Sequence, residues 1–373
     1  MKENSSKKLA FFLPSLHEGG VEVVVLNLIK ELIKQNYSID LLLTVKEGRL
    51  LDKVPPSVRI INLRSKRALN SLSPLINYLK KEKPDILFSA KTYVNILSIV
   101  ATKLSRVSTR IVVSEHTILS LNAKNSRSFR GRYLIPLFAR IFLRYADEIV
   151  AVSEGVASDL VNVFKIPKKC VNTIYNPIVS DELINNAKKE IFIPNQDDEP
   201  IILGVGRLTQ VKDFKTLIEA FAIVRKKIKA RLIIIGDGEE RDSLVLLAKK
   251  LGIEKYIYLP GYKDNPLPYM SKASVFVLSS KYEGFGNVIV EALACGTSVV
   301  STNCPSGPAE ILDHGRYGRL VSVGNKEELA QAIIETLENP FPANELKQRS
   351  LDFSIDKSVS KYINLFEKLL NNS

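Results

Sequence analysis

Two spacings of apolar residues alternate along this chain. Short, largely apolar runs at Leu9 to Pro14, Ile39 to Val45, Val58 to Leu63, Asp85 to Ser89, Arg110 to Ser114 and Glu148 to Val152 predict strands. Between them, Val21, Val24, Val25, Leu28, Ile29 and Leu32 fall on one face of a helix over 21–34. Ser73 to Lys83 predicts a second helix, stopped by Pro84, and Asn95 to Leu104 a third. Strands that alternate with helices in this way predict an α/β fold, with a parallel sheet covered by helices on both faces.

The pattern restarts after Asn176-Pro177 and a polar stretch that runs to Pro200. Ile201 to Val205, Arg231 to Ile235, Tyr256 to Leu259, Val275 to Leu278, Ser298 to Ser301 and Leu320 to Val323 predict strands; Phe214 to Lys226 and Glu239 to Leu251 predict helices. At 373 residues the chain is too long for one ordinary core. Two doubly wound domains, 1–178 and 179–353, are expected, with a cleft between them and ligands at the strand C-terminal ends facing it. An amphipathic helix at Ser354 to Leu370 is expected to pack back on the first domain, carrying residues 354–373 with it.

Charge is unevenly placed. Residues 1–178 carry 28 Lys and Arg against 14 Asp and Glu, whereas the rest carries 25 against 26. The whole excess of +13 therefore lies in the first half, which points to an anionic partner there: a membrane surface, a diphosphate head group or nucleic acid. A solvated basic surface fits the same count. Cys170, Cys295 and Cys304 form no CxxC and no even framework, as expected in a reducing compartment without structural zinc. No apolar run reaches the ~18 residues of a membrane span, and the polar, basic start does not resemble a signal peptide.

The densest candidate chemistry is Glu283-Gly284-Phe285-Gly286-Asn287-Val288-Ile289-Val290-Glu291. It follows a predicted strand, and Val288 to Ala294 reads as a buried helix stopped by Gly296. Glu283 is expected on the loop and Glu291 about two turns into the helix, roughly 12 Å along its axis if every intervening residue were helical. Free N–H groups of the helix start lie between them. One carboxylate would take sugar hydroxyls, the amides a phosphate, and the second carboxylate another diol. A helix-start acid plus a surface acid is the alternative, but Ile289, Val290, Ala292, Leu293 and Ala294 surround Glu291 with apolar groups, where a carboxylate is costly.

Gly204-Val205-Gly206-Arg207-Leu208-Thr209 is an incomplete glycine fingerprint, because Thr209 stands where a third glycine belongs. With Arg207 and Lys212 flanking it between strand and helix, the loop suits a diphosphate, although two surface cations would look the same. Gly19-Gly20, flanked by Glu18 and Glu22, opens the first helix, either for close approach of a ligand or as a tight turn. His116, in Ser114-Glu115-His116, sits at a strand end, as a cleft residue or a structural one. Ser306-Gly307-Pro308-Ala309-Glu310 has helix-start chemistry. No metal-binding histidine spacing and no G-x-S-x-G elbow occurs. Residues 124–145 interleave Lys124, Arg127, Arg130, Arg132, Arg140 and Arg144 with Phe129, Tyr133, Leu134, Phe138, Ile141 and Phe142; Arg64, Lys66 and Arg67 form a smaller basic cluster. The long segment suits an anionic lipid surface, or a helix packed on its domain with a solvated basic face.

Taken together, GGVE at 19–22, SEH at 114–116, GRLTQVKD at 206–213, GDG at 236–238 and the two glutamates eight apart resemble the retaining family 4 glycosyltransferases of GT-B fold, which has two Rossmann-like domains. CPSGPAEIL at 304–312 resembles members acting on polyprenyl-diphosphate-linked saccharides. The resemblance implies a hexose or N-acetylhexosamine carried by a nucleotide diphosphate, UDP foremost, and a lipid-linked acceptor in surface-glycan assembly. It implies that Arg207 and Lys212 hold the diphosphate, Glu283 the donor sugar and Glu291 the ribose. Phe285, Gly286, Asn287 and Val288 would offer amides, Tyr262 and Lys263 would lie near the base, Gly19 and Gly20 would approach the diphosphate, and His116 would contact the reacting sugar. It implies no metal or other cofactor, no nucleic-acid partner, and a cytoplasmic enzyme peripheral at the inner face of the membrane. A glycoside hydrolase using Glu283 and Glu291, whose axial separation suits neither carboxyl spacing of that chemistry, and a non-catalytic nucleotide or nucleic-acid binder are the rival readings.

Overall fold

The structure is a computed structural model that describes residues 7–17, 19–65, 68–126, 128–193 and 199–371. Glu18, Lys66, Arg67 and Arg127 lie outside the described residues. The chain forms two compact units, one of residues 1–177 with 355–373 and the other of 178–354.

The first unit is built on seven parallel strands: β1 (Lys8–Leu13), β2 (Ser38–Leu43), β3 (Arg59–Asn62), β4 (Ile86–Ala90), β5 (Arg110–Glu115), β6 (Glu148–Ala151) and β7 (Val171–Thr173). Their spatial order is β3-β2-β1-β4-β5-β6-β7. The second unit has six: β8 (Ile201–Val205), β9 (Arg231–Ile235), β10 (Ile257–Gly261), β11 (Val275–Leu278), β12 (Val299–Thr302) and β13 (Arg319–Val321), ordered β10-β9-β8-β11-β12-β13. The central strands are mostly apolar because helices cover both faces of each sheet. In each sheet the order reverses between its first strand and the neighbour on the other side, β1 and β4 in one and β8 and β11 in the other. Chains leave these paired strands in opposite directions, opening a crevice at their C-terminal ends, where such sheets bind ligands.

The last helix, Ile355–Asn371, belongs to the first unit. Tyr362 and Phe366 are fully buried and meet Phe88 of β4 edge-on, at centroid distances of 5.9 and 6.4 Å. Phe88 in turn contacts Phe11 of β1 at 5.1 Å. Each such ring contributes roughly 1.5–3 kcal/mol by leaving water, so the terminal helix is part of the core beneath the β1/β4 crevice.

Sequence pattern missed the shortest and the most peripheral elements. Strand β7 has three residues, Val-Asn-Thr, too few to show a period. The helix Lys326–Glu338 opens on three charged residues, yet packs Leu329, Ala330, Ile333 and Ile334 into the second core.

Candidate active site

At the crevice of the second unit, two loops meet. The first, 206–213, leaves β8 and enters the helix Phe214–Arg225. It is pinned to neighbouring strand ends: Gly206 N donates to Ile235 O (3.0 Å), Leu208 N to Asp237 O (2.9 Å), Lys281 N to Val211 O (2.8 Å) and Ser279 Oγ to Lys212 O (2.8 Å). Gly236, at φ +144, lies against the same loop, since a Cβ there would stand 1.9 Å from Gly206 O. The GDG segment is thus the floor of the Arg207–Lys212 loop. Asp213, the cap residue at φ +49, accepts from Thr216 Oγ1 at 2.9 Å.

The second loop, 279–286, leaves β11 and enters the helix Asn287–Cys295 through Gly286 (φ +103). Because this helix starts only at Asn287, Glu291 is four residues inside it, about 6 Å along the axis. That corrects the expectation of two turns: Gly286, at φ +103, holds the chain before Asn287 out of helix. Glu283 Oε1 accepts from Lys212 Nζ at 2.5 Å and from Ser280 Oγ at 2.7 Å. Lys212 and Glu283 are both mostly buried, with side chains 23% and 12% exposed. One carboxylate oxygen is thereby anchored, leaving Oε2 without a hydrogen bond among the described residues, while Lys212 retains two of its three N–H donors. Arg207 is exposed on the same loop, and its side chain has no ion pair among the described residues.

The end of β12 and the loop after it, 303–307, support the second loop. Thr302 Oγ1 donates to Ser280 O (2.6 Å) and Ser306 Oγ to Gly284 O (2.9 Å). Burial and the Glu283 charge push the Cys304 thiol up to about 12, so it remains protonated beside the ion pair. Phe285 is buried and meets Phe353 at 5.5 Å. Gly307 caps the four-residue helix Pro308–Ile311 at φ +86 and ψ −65. A Cβ there would stand 1.7 Å from Phe285 O. Gly307→Ala therefore combines backbone strain of about 1–3 kcal/mol with displacement of the Glu283–Asn287 loop. A lower Tm together with weaker nucleotide binding by calorimetry is the expected result.

Glu291 is half-buried on a helix whose Ile289, Val290, Ala292 and Leu293 are fully buried, and it makes no hydrogen bond among the described residues. Burial pushes its carboxyl up to about 7. Tyr262 is exposed just beyond β10 and Lys263 is partly exposed beside it.

In the first unit, Gly19 caps the helix Gly20–Lys34 beyond β1. His116 follows β5 and shares a 3.0 Å hydrogen bond through Nε2 with Ser114 Oγ. Burial, with the Lys91 charge acting the same way, lowers its pKa to about 3, so the imidazole is neutral at physiological pH. Beneath it, fully buried Glu115 accepts from Asn95 Nδ2 (2.7 Å) and Thr92 Oγ1 (2.8 Å). Burial raises Glu115 to about 7 despite those bonds, and the Asp159 charge adds to the rise.

Sequence reasoning overlooked Ser280, Lys91 and the Asn95–Thr92 support of Glu115. Their positions just past strands β11 and β4, or on the helix turn that follows, were the available signal. The basic segment is helical through Arg130–Leu134, Ile135–Phe142 and Leu143–Tyr145. Lys124, Arg130, Arg132, Arg140 and Arg144 are all exposed. So are Phe129 (69%), Tyr133 (55%), Leu137 (51%), Phe138 (42%), Ile141 (43%) and Tyr145 (52%), whereas Ala139 and Leu143 are buried. Leu134 and Phe142 are partly covered. A purely polar outer face is therefore not what this segment presents.

Comparison with known proteins agrees with this architecture. Residues 18–182 match the family described as Glycosyltransferase Family 4, and residues 186–352 the family described as Glycosyl transferases group 1. Over 352 residues the chain is 32% identical to the N-acetylgalactosamine-N,N'-diacetylbacillosaminyl-diphospho-undecaprenol 4-alpha-N-acetylgalactosaminyltransferase of Campylobacter jejuni, covering 89% of this chain and 91% of that protein. Among solved structures, sucrose-phosphate synthase of Thermosynechococcus elongatus aligns with a TM-score of 0.83 at 20% identity, over 98% of this chain and 100% of the other. Anabaena HepE in complex with UDP-glucose aligns with a TM-score of 0.77 at 20% identity, over 98% and 100%. At these identities the structural likeness speaks for the fold, which is GT-B. With its two parallel sheets, and a relative this similar along nine-tenths of its length, the chain belongs to the family 4 and group 1 glycosyltransferases.

Proposed function

We propose that this glycosyltransferase moves a hexose or N-acetylhexosamine, with retention of configuration, from a UDP-sugar to a polyprenyl-diphosphate-linked saccharide in surface-glycan assembly. The observation that carries the proposal is the Lys212–Glu283 ion pair at the crevice between β8 and β11. It couples two recognitions. Lys212, with Arg207, offers N–H donors and positive charge to the diphosphate, while Glu283 Oε2 accepts hydroxyls of the sugar attached to it. Amides of Phe285, Gly286, Asn287 and Val288 serve the sugar and phosphate, Glu291 the ribose diol, and Tyr262 and Lys263 the base. The Campylobacter relative supports the lipid-linked acceptor through its name, and HepE supports UDP through its bound ligand.

The chemistry follows from the charges. As the glycosidic C–O bond breaks, negative charge grows on the departing diphosphate, and preorganised cations stabilise it most in that state. An acceptor hydroxyl then attacks from the face being vacated and passes its proton to the leaving phosphate. Neither glutamate is a nucleophile. With Arg207 and Lys212 supplying the positive charge, turnover needs no divalent metal and persists in excess chelator. Neutral His116 hydrogen-bonds a sugar hydroxyl without adding charge. Incubation with a panel of nucleotide-sugars and polyprenyl-diphosphate saccharides, read by mass spectrometry, tests the reading. One extended acceptor, with α-configured linkage from an α-donor by NMR, is expected. Free sugar released without any donor nucleotide would overturn it in favour of a hydrolase.

The same proposal places the enzyme against an anionic membrane surface at the cytoplasmic side, where such acceptors are charged with sugar. No helix among the described residues is long and apolar enough to cross a membrane. The exposed rings and guanidinium groups of 129–145 suit the interface instead, each cation near anionic lipid contributing about 1 kcal/mol. Flotation with vesicles rich in anionic lipid should recover the protein, and replacing Arg130, Arg132, Arg140 and Arg144 by glutamine should abolish recovery. Unchanged flotation of that variant would remove the segment from the proposal.

A further inference from the structure

The crevice of the first unit, between β1 and β4, holds a cation that none of the foregoing roles uses. Lys91 is the first residue after β4 and caps the helix Thr92–Ser105. It stands at φ +80, a conformation that side-chain-bearing residues adopt at a cost. Its Nζ donates to Glu22 Oε1. Glu22 is the third residue of the helix opened by Gly19 and is 2% exposed. Its carboxylate leaves no room for a side chain at position 19, since a Cβ there would stand 2.2 Å from Glu22 Oε2. The Lys91 charge also acts on His116, and those of Glu22 and Arg130 act on Tyr93, so these groups share one neighbourhood. The Lys91 side chain remains one-third exposed.

A buried glutamate needs a counter-charge, and Lys91 supplies it. That need does not explain why the cation comes from a strained cap at the switch point, partly open and beside His116. The second unit offers a parallel: there the loop after β11, across its own switch point, carries the ion-paired Glu283. Lysine Nζ has three N–H donors and Glu22 takes one, which leaves two for a phosphoryl oxygen.

We infer that Lys91, held in place by Glu22, is a substrate-binding residue that grips a phosphoryl oxygen of a diphosphate at the first unit's crevice. Both the nucleotide donor and the lipid-linked acceptor carry that group. The inference rests on the proposed reaction for its substrates but not for its chemistry.

The decisive variant is the double change Glu22→Gln with Lys91→Met. It removes both charges together, so no buried carboxylate is left unpaired and the fold survives, which Tm verifies. Its KM for either the nucleotide-sugar or the diphosphate acceptor is expected to rise about 10-fold or more, the other staying within about 2-fold; which KM moves identifies the source of the phosphate. Lys91→Arg, with the cation kept, should recover most of the loss. Wild-type KM values for both substrates in the double variant would overturn the inference and leave the pair purely structural. Calorimetric titration of inorganic pyrophosphate into the protein with and without the double change, both carrying Lys212→Met with Glu283→Gln and Arg207→Ala to silence the second unit's diphosphate site, reads Lys91 without turnover. If no sugar is transferred at all, the proposed reaction fails, while a Kd weakened about 10-fold in the variant still supports the phosphate grip and an equal Kd refutes it.

Discussion

Replacing Lys212 with alanine should lower kcat/KM for the nucleotide-sugar about 10²–10³-fold, most of it in kcat, in a protein that remains folded. The ammonium lies at the crevice end of β8, mostly buried, in contact with Glu283. In such surroundings a fixed positive charge acts far more strongly than in water, and it acts most on the separated diphosphate, which carries the extra charge. The loss should therefore fall on kcat, beyond any loss of ground-state affinity. Removing Lys212 alone also leaves Glu283 with only Ser280, a penalty unrelated to catalysis. Lys212→Met combined with Glu283→Gln separates the two effects: it restores Tm yet stays slow, because neither the leaving-group cation nor the sugar acceptor returns. Steady-state kinetics with near wild-type kcat in Lys212→Ala would refute the assignment. Arg207→Ala acts in the same direction from the same loop.

Glu291→Gln should separate stability from binding. Burial raises the Glu291 carboxyl from 4.5 to about 7 in the folded protein. Between those values the native state holds a proton that the unfolded chain has released, so this residue makes stability fall as pH rises through the window. Above about pH 7 the loss is complete. Glutamine does not ionise, so the variant should be more stable than wild type near pH 8, by about 1–3 kcal/mol once partial exposure is discounted, and no more stable near pH 4. Glu115, raised in the same direction, is present in both proteins and cancels. Donor binding should move the opposite way. In the proposed role a ribose diol donates to the ionised carboxylate, so the wild-type donor KM should fall as pH rises through 7. In Glu291→Gln the KM should be about 10–100-fold higher and lose that slope. Urea unfolding at the two pH values, with donor KM across the neutral range, checks both halves. A destabilised variant with an unchanged KM would reduce Glu291 to a packing residue.

The strand positions were legible because strands covered on both faces are mostly apolar, as Leu9–Leu13, Ile201–Leu203 and Val275–Leu278 are, with buried polar residues such as Asp40, Ser89 and Glu115 as exceptions. The loops were legible for a different reason. Gly236, Gly238 and Gly307, all at positive φ, mark close backbone approaches: a Cβ there would strike Gly206 O, Leu208 O and Phe285 O at 1.9, 2.4 and 1.7 Å. The separation of Glu283 from Glu291 was read less well, because a glycine-broken loop has no period from which to place the helix start. Lys91 escaped notice for a related reason. A single lysine after a strand carries no pattern, and its partner Glu22 lies 69 residues earlier in the chain.

What this sequence determines by itself is therefore the alternation of strand and helix, the repeat of that alternation in two units, and the residue types at the strand ends. Those follow from local rules of burial and backbone freedom. Only the tertiary structure decides which of those residues meet. Lys212 reaches Glu283, and Lys91 reaches Glu22, because each sheet reverses its strand order between its first strand and that strand's neighbour. That reversal sets distant loops side by side, where charges separated by some seventy residues share a hydrogen bond.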